Sequence, residues 1–242
     1  EAKNTYGTGC FAVTNTGKTI VNSTNQMLST VAWQLDGKLT YALEGSVYIA
    51  GALVQWLRDG LKIIENSSDI EALALKEGHN GGITIVPALS GLGAPHWDAY
   101  ARGAIMGITR GTNDSHIAYA ALEAIALSTA DVLEAMAKDL GQELKAIKVD
   151  GGASANDTMM QLQANILGCP VIRPAETEST ALGAALLAGL GIGYWSSLED
   201  LKPLLNVDEN FDPKPMDQEL LRDQWQRAVA ASKGWIKAGA DE

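Results

Sequence analysis

Two glycine-punctuated turns hold the residues best suited to chemistry. Tyr6-Gly7-Thr8-Gly9 falls in the bend of an opening hairpin. Glycine there lets the backbone approach a ligand, and a threonine hydroxyl can donate to a phosphate oxygen. The same four residues also make an ordinary glycine hairpin. The second turn, Val149-Asp150-Gly151-Gly152-Ala153-Ser154-Ala155-Asn156, joins a strand to a helix. Its glycine pair clears side chains from the sheet edge, so a purine or a phosphate can lie against bare backbone beside Asn156. Asn156 reads equally well as a helix N-cap. Asp150 either holds a cation or bonds loop amides. Gly51 and Gln55, four apart on one helical face, offer a close approach and a polar contact, or simply a packing glycine.

Other candidates carry less chemistry. Residues 90–112 form a long Gly/Pro-punctuated segment with His96, Trp97 and Arg102, the length of a functional or inserted loop. No Ser or Cys stands in a triad arrangement with His96, and no metal-ligand spacing surrounds it. His79, His96 and His116 are scattered along the chain, which argues against a histidine-held metal, and no residue is assigned to metal binding. Cys10 and Cys169 make neither a disulfide framework nor a metal site by themselves. The net charge of −11, from 18 basic and 29 acidic residues, argues against a nucleic-acid partner. The longest uncharged stretch, residues 179–198, is too rich in glycine and serine for a membrane span. With 46% hydrophobic and 19% charged residues the chain can bury a sizeable core, and it reads as a cytoplasmic globular protein.

These residues need elements to position them. Residues 4–16, 18–27 and 28–43 read as three short antiparallel strands, the last split by the hairpin signal Asp36-Gly37. Helical spacing starts at Glu44, with Val47, Ala50, Val54, Leu57 and Leu61 on one face. Ser67-Ser68-Asp69 caps a short helix over residues 70–76, and a strand covers 83–86. Asn113-Asp114-Ser115 caps a long helix over 116–140. Strand 144–149, helix 158–167 closed by Gly168, and strand 171–172 follow. A small-residue helix spans 180–190, and an amphipathic one, 216–238, carries Leu220, Leu221, Trp225, Val229 and Trp235. Strands first, then β–α alternation, give a mixed α/β sheet.

In order and without gaps from about Lys3 to Leu201, these segments resemble the C-terminal half of the FGGY family of carbohydrate kinases. Residues 3–11 (KNTYGTGCF) resemble the family's second phosphate loop, and residues 91–112 its mid-domain segment. Gly103, Ile105, Gly107-Ile108, then seven residues, His116-Ile117 and Ala120-Ala121-Leu122-Glu123 fit the family's second signature. Residues 149–156 are similar to its adenosine motif, and 180–193 to its interdomain helix. The resemblance implies an actin/hexokinase-like (ribonuclease H-like) domain. Its mixed five-stranded sheet would carry helices on both faces and open with an antiparallel three-stranded meander. Residues 1–242 would be the C-terminal ATP-binding domain, with a core at 3–201 and a helical tail at 206–242. ATP or ADP with Mg²⁺ would be the cofactor. Thr8 would contact the terminal phosphates, Gly51 and Gln55 would line the nucleotide site, and Gly152 would lie against adenine or ribose beside Asn156. Phe11 would pack against the carbon backbone of glycerol, a substrate also favoured by Ala94-Pro95-His96-Trp97.

The departure is an absence. The family's catalytic aspartate lies in a Gly-Asp-Gln segment before the second phosphate loop, and no such segment occurs here. Residue 1 is Glu and strand-like sequence begins at once, so an N-terminal substrate domain is expected upstream. This polypeptide alone is then expected to be inactive, and the full-length enzyme to be a homo-oligomer. The alternatives are a kinase for another polyol or sugar, or a non-catalytic nucleotide-binding module.

Overall fold

The computed structural model describes residues 2–204 and 206–237. The chain runs β1 (Ala2–Tyr6), β2 (Cys10–Gly17), β3 (Leu28–Leu35), β4 (Lys38–Val47), α1 (Gly51–Asp59), α2 (Asp69–Ala74), β5 (Thr84–Val86) and β6 (Ala104–Met106). It continues through α3 (Asp114–Leu140), β7 (Ile147–Asp150), α4 (Asp157–Leu167), β8 (Val171–Pro174), α5 (Ser179–Gly191), β9 (Val207–Phe211) and α6 (Gln218–Ser232).

In the first two strands every second side chain is buried: Ala2, Asn4 and Tyr6, then Cys10, Ala12 and Thr14. The antiparallel register sets Tyr6 opposite Cys10 and Asn4 opposite Ala12, so all six face one side and Lys3, Thr5 and Phe11 the other. The buried side packs on α3 and α4. Gly45 of β4 belongs to it, because a Cβ there would meet Val132 at 2.5 Å and Met136 at 3.4 Å. The opposite face meets the start of α5, where Ser179 donates to Asp150. A second, two-stranded sheet pairs β5 with β6.

The long helix α3 is the centre of the core. Asn113 Oδ1 accepts from the His116 N–H (3.1 Å) while His116 Nδ1 accepts from the Asn113 N–H (3.2 Å), a reciprocal cap. Gly141, left-handed at φ 60, ends the helix. Between those caps Leu122, Leu127 and Leu133 are essentially sealed from solvent, each contributing roughly 2 kcal/mol of apolar burial. The reading of helix α4 holds as well: Gly168 closes it at φ 67.

The main sheet has seven strands, not five, in the order β3-β4-β2-β1-β7-β8-β9. The surplus comes from its two edges: the opening antiparallel set counts four strands rather than a three-stranded meander, and β9 adds antiparallel to β8. Residues 18–27 are not a strand. Asp139 of α3 accepts from the Thr24 N–H (2.9 Å) and Asn25 Nδ2 (2.8 Å), and Ser23 Oγ accepts from the Met27 N–H (2.8 Å). Side chains there take the groups a ladder would use. Residues 44–47 belong to β4, since Val47 pairs with Cys10, and α1 starts only at Gly51. The last helix is shorter than its periodicity, ending at Ser232; Leu220 and Trp235 are exposed, and position 238 lies outside the described residues.

One charged group is buried in α3. Glu123 is 5% exposed and accepts from Asn80 Nδ2 at 2.8 Å. Burial pushes its carboxyl up to about 7, with the Asn80 hydrogen bond pulling the other way. The folded chain therefore holds this proton more tightly than the unfolded one. The resulting stability is fully present below the ordinary glutamate pKa, is lost as pH rises through about 7, and stays lost above it. Urea unfolding across that window should show the wild-type chain losing up to about 3 kcal/mol relative to Glu123→Gln. Parallel pH profiles for the two proteins would contradict this assignment.

Candidate functional site

The loop between β1 and β2 is fixed by the helix it faces. The Ala50 and Ala52 N–H groups donate to Thr8 O (2.8 and 3.0 Å), and the Gly51 N–H to Gly7 O (3.0 Å). The first turn of α1, which has no intrahelical partners for these donors, is thereby satisfied by loop carbonyls. A Cβ on Gly51 would sit 2.6 Å from Gly7 O, so this close approach needs glycine. Gly7 N–H closes the bend onto Gly9 O at 2.9 Å. Among the described residues the Thr8 N–H and hydroxyl make no hydrogen bond, and Thr8 is exposed.

The second turn lies beside it because β7 runs parallel to β1. Gly151 has φ 84, and a Cβ there would meet Tyr6 O at 2.5 Å, so its glycine serves the packing of one strand end on another. Gly152 is different: no heavy atom lies within 4 Å of its Cβ position. Asn156 is the N-cap of α4, its Oδ1 accepting from the Met159 N–H at 2.7 Å, which leaves its Nδ2 donors over. Asp150 does not bond loop amides: its Oδ2 pairs with Lys3 Nζ at 2.6 Å and accepts from Ser179 Oγ, tying β7 to β1 and to α5, while its Oδ1 is buried with no hydrogen-bond partner among the described residues.

Both turns open onto one cavity of about 440 Å³. Thr8, Gly51, Gln55, Gly152 and Asn156 all line it, drawn from three separate stretches of sequence. Val54, Ile70, Leu122 and Ile125 give it an apolar wall. An apolar wall with a few convergent polar groups is the usual make-up of a small-molecule site. Phe11 is not among the lining residues; it stands half-exposed on the outer face of β2. Ser67, Ser68 and Glu71 line the cavity without having been singled out. Ser68 makes no side-chain cap on α2, so the capping reading of that serine pair fails. Glu71 Oε1 accepts from the Thr158 N–H at 2.7 Å and fastens α2 to α4. No spacing rule links residues 87 apart.

A larger cleft of about 560 Å³ between α3 and α6 is lined by groups that satisfy one another. Asp131 accepts from Trp225 Nε1 (2.7 Å), contacts His96 Nε2 (2.9 Å) and pairs with Arg222 (3.1 Å). Arg102 donates to the Ala99 and Ala101 carbonyls. Residues 90–112 thus brace the fold, and His96, Trp97 and Arg102 stay away from the cavity formed by the two turns. The histidines are not all scattered in space, however. The rings of His79 and His116 are in contact, tilted 42° to each other with centroids 4.9 Å apart. Among the described residues no helix is long and apolar enough to cross a membrane.

Comparison with known proteins agrees with this geometry. Residues 2–192 match the model of the FGGY family of carbohydrate kinases, C-terminal domain. The chain is 60% identical over 237 residues to glycerol kinase of Deinococcus radiodurans, covering 97% of this chain and 47% of that one. It is 55% identical over 239 residues to glycerol kinase of Solidesulfovibrio magneticus, covering 98% and 48%. Among solved structures it superposes on Plasmodium falciparum glycerol kinase with ADP (TM-score 0.88, 38% identity, 96% of this chain and 47% of that one). Gluconate kinase from Lactobacillus acidophilus follows (TM-score 0.81, 27% identity, 96% and 48%). The chain thus spans about half the length of the relatives it matches. With residues 2–192 matched by that model, the chain belongs to the FGGY family of carbohydrate kinases.

Proposed function

We propose that this chain is the nucleotide-binding C-terminal domain of an enzyme that transfers the γ-phosphoryl group of ATP to glycerol, forming sn-glycerol 3-phosphate. The observation that carries the reading is the convergence of Thr8, Gly51, Gln55, Gly152 and Asn156 on one cavity, with the Cβ position of Gly152 open toward it. Adenine or ribose lies on the bare Gly152 backbone. Asn156 Nδ2 is the nearby donor, because the oxygen of that amide is committed to the helix cap. The unpaired N–H and hydroxyl of Thr8 hold the terminal phosphates in place as the charge shifts.

Mg²⁺ travels on the nucleotide's phosphates and neutralises them; no residue of this chain is assigned to it. An aspartate upstream of this chain takes the proton from the primary hydroxyl of glycerol. The hydroxyl oxygen bonds to the γ-phosphorus as the bond to ADP breaks, while the exposed ring of Phe11 packs against the carbon chain of glycerol. The substrate is taken as glycerol rather than another polyol or sugar because the relatives at 60% and 55% identity are glycerol kinases.

Phosphoryl transfer needs groups from both sides of the phosphate. Purified alone, the chain should give no glycerol phosphorylation above background in a coupled assay; substantial turnover by the chain alone would refute the proposal. MgADP should still raise its melting temperature, by an amount equivalent to about 2.7 kcal/mol at a hundredfold excess over Kd.

The two glycines of the second turn should separate fold from ligand. Gly152→Val has room for its side chain and should keep the melting temperature while losing the MgADP shift. Gly151→Ala should melt several degrees lower even without nucleotide, since an alanine at φ 84, ψ 160, a region essentially confined to glycine, costs about 1–3 kcal/mol before its clash with Tyr6 is counted. An undiminished MgADP shift in Gly152→Val would place the nucleotide elsewhere.

A further inference from the structure

We propose that Glu77, His79 and His116 form a binding site for a divalent transition-metal ion, Zn²⁺ being the best match. One ligand atom from each residue lies within 4.8 Å of the others, and the two imidazole rings are tilted 42° to each other with centroids 4.9 Å apart. None of the three lines the nucleotide cavity, so the site is separate from it.

The turn between α2 and β5 is shaped to bring these groups together. Gly81, at φ 62, lies flat against the His116 ring, where a Cβ would approach within 2.6 Å. Asn80 Nδ2 holds the same turn to Glu123 of α3, and the Glu77 N–H donates to Ser115 Oγ at 3.1 Å. His116 is buried and fixed in the first turn of α3, while Glu77 and His79 are exposed. The fixed ring is thus one wall of the site, and the two exposed side chains face an ion arriving from solvent.

Two imidazoles and one carboxylate, with positions left for water, suit Zn²⁺, Co²⁺ or Ni²⁺. Ca²⁺ and Mg²⁺ prefer all-oxygen sets and are excluded by the same argument. Both rings carry a lone pair at Nδ1, where His79 accepts from the Gly81 N–H (3.0 Å) and His116 from the Asn113 N–H (3.2 Å). An ion either takes over those lone pairs or binds Nε2 of the other neutral tautomer, whose proton has moved through solvent from Nε2 to Nδ1. In each case a backbone hydrogen bond is given up, which lowers affinity by roughly tenfold per ring. The ligand atoms must also draw in, since bonds to zinc are only about 2.0–2.1 Å long. The site is therefore of micromolar rather than nanomolar strength.

Calorimetric titration of the tag-free chain with ZnCl₂ should give one ion per chain with a micromolar Kd. His79→Ala should bind at least tenfold more weakly while melting within a few degrees of the wild type without metal, because the exposed ring makes only a hydrogen bond to its own turn and one tilted contact with the His116 ring. Glu77→Gln, which can still accept from Asn113 Nδ2, should weaken zinc without unfolding. Co²⁺ added in place of zinc should give a visible absorption band that is lost in His79→Ala. Absence of saturable zinc binding at a hundred times the expected Kd would overturn the site. Stoichiometric binding that His79→Ala leaves unchanged would overturn it too.

Discussion

The first turn of α1 owes its hydrogen bonds to a loop more than forty positions earlier. Ala50, Gly51 and Ala52 give their N–H groups to the carbonyls of Gly7 and Thr8. A helix start is ordinarily a place where an anion binds directly to free N–H groups. Here the loop occupies that position instead, and the loop in turn leaves its own donors free at Thr8. That substitution dictates much else. It requires glycine at 51, fixes which way the bend between β1 and β2 leans, and brings α1 close enough for Gln55 to reach the same cavity.

Glycines near this cavity answer to two different causes. Those at 9, 51 and 151 are demanded by backbone, since a Cβ would meet Val47 O at 2.4 Å, Gly7 O at 2.6 Å or Tyr6 O at 2.5 Å. Gly152 faces no such neighbour. Its lack of a side chain leaves the cavity open without serving a close backbone approach. Asn156 makes the complementary point: its oxygen caps α4 while its amide nitrogen is left over, so the cap does not use up the donors that the proposed ligand contact needs.

What was legible in the sequence follows from how far each cause lies along the chain. The caps of α3 and α4 rest on residues three or four apart, so Asn113, Asn156 and Gly168 announce them. The five residues that converge on the cavity were legible as motifs, and family resemblance grouped them. Residues 18–27 were misread because Asp139, over a hundred positions away, supplies the acceptors that keep them out of the sheet. The edge strand β9 and the part of α2 in the cavity were hidden for the same reason: the partner that defines each is remote in sequence. His79 and His116 looked unrelated until Gly81 allowed the turn between α2 and β5 to close on the ring of His116.

The sheet itself divides the proposed chemistry. Strand alternation sends Cys10 and Ala12 into the core with α3 and sends Phe11 to the opposite face. The nucleotide cavity, walled in part by Leu122 and Ile125 of α3, opens beside the same loop. A phosphoryl group passing from nucleotide to an acceptor alcohol at Phe11 must therefore go around the end of the β1–β2 hairpin, and Thr8 occupies that end. The residue with unpaired donors thus stands between the positions proposed for the two substrates. Its carbonyl is held by the Ala50 and Ala52 N–H groups at the start of α1, so the loop that carries these donors is already fixed before any ligand arrives.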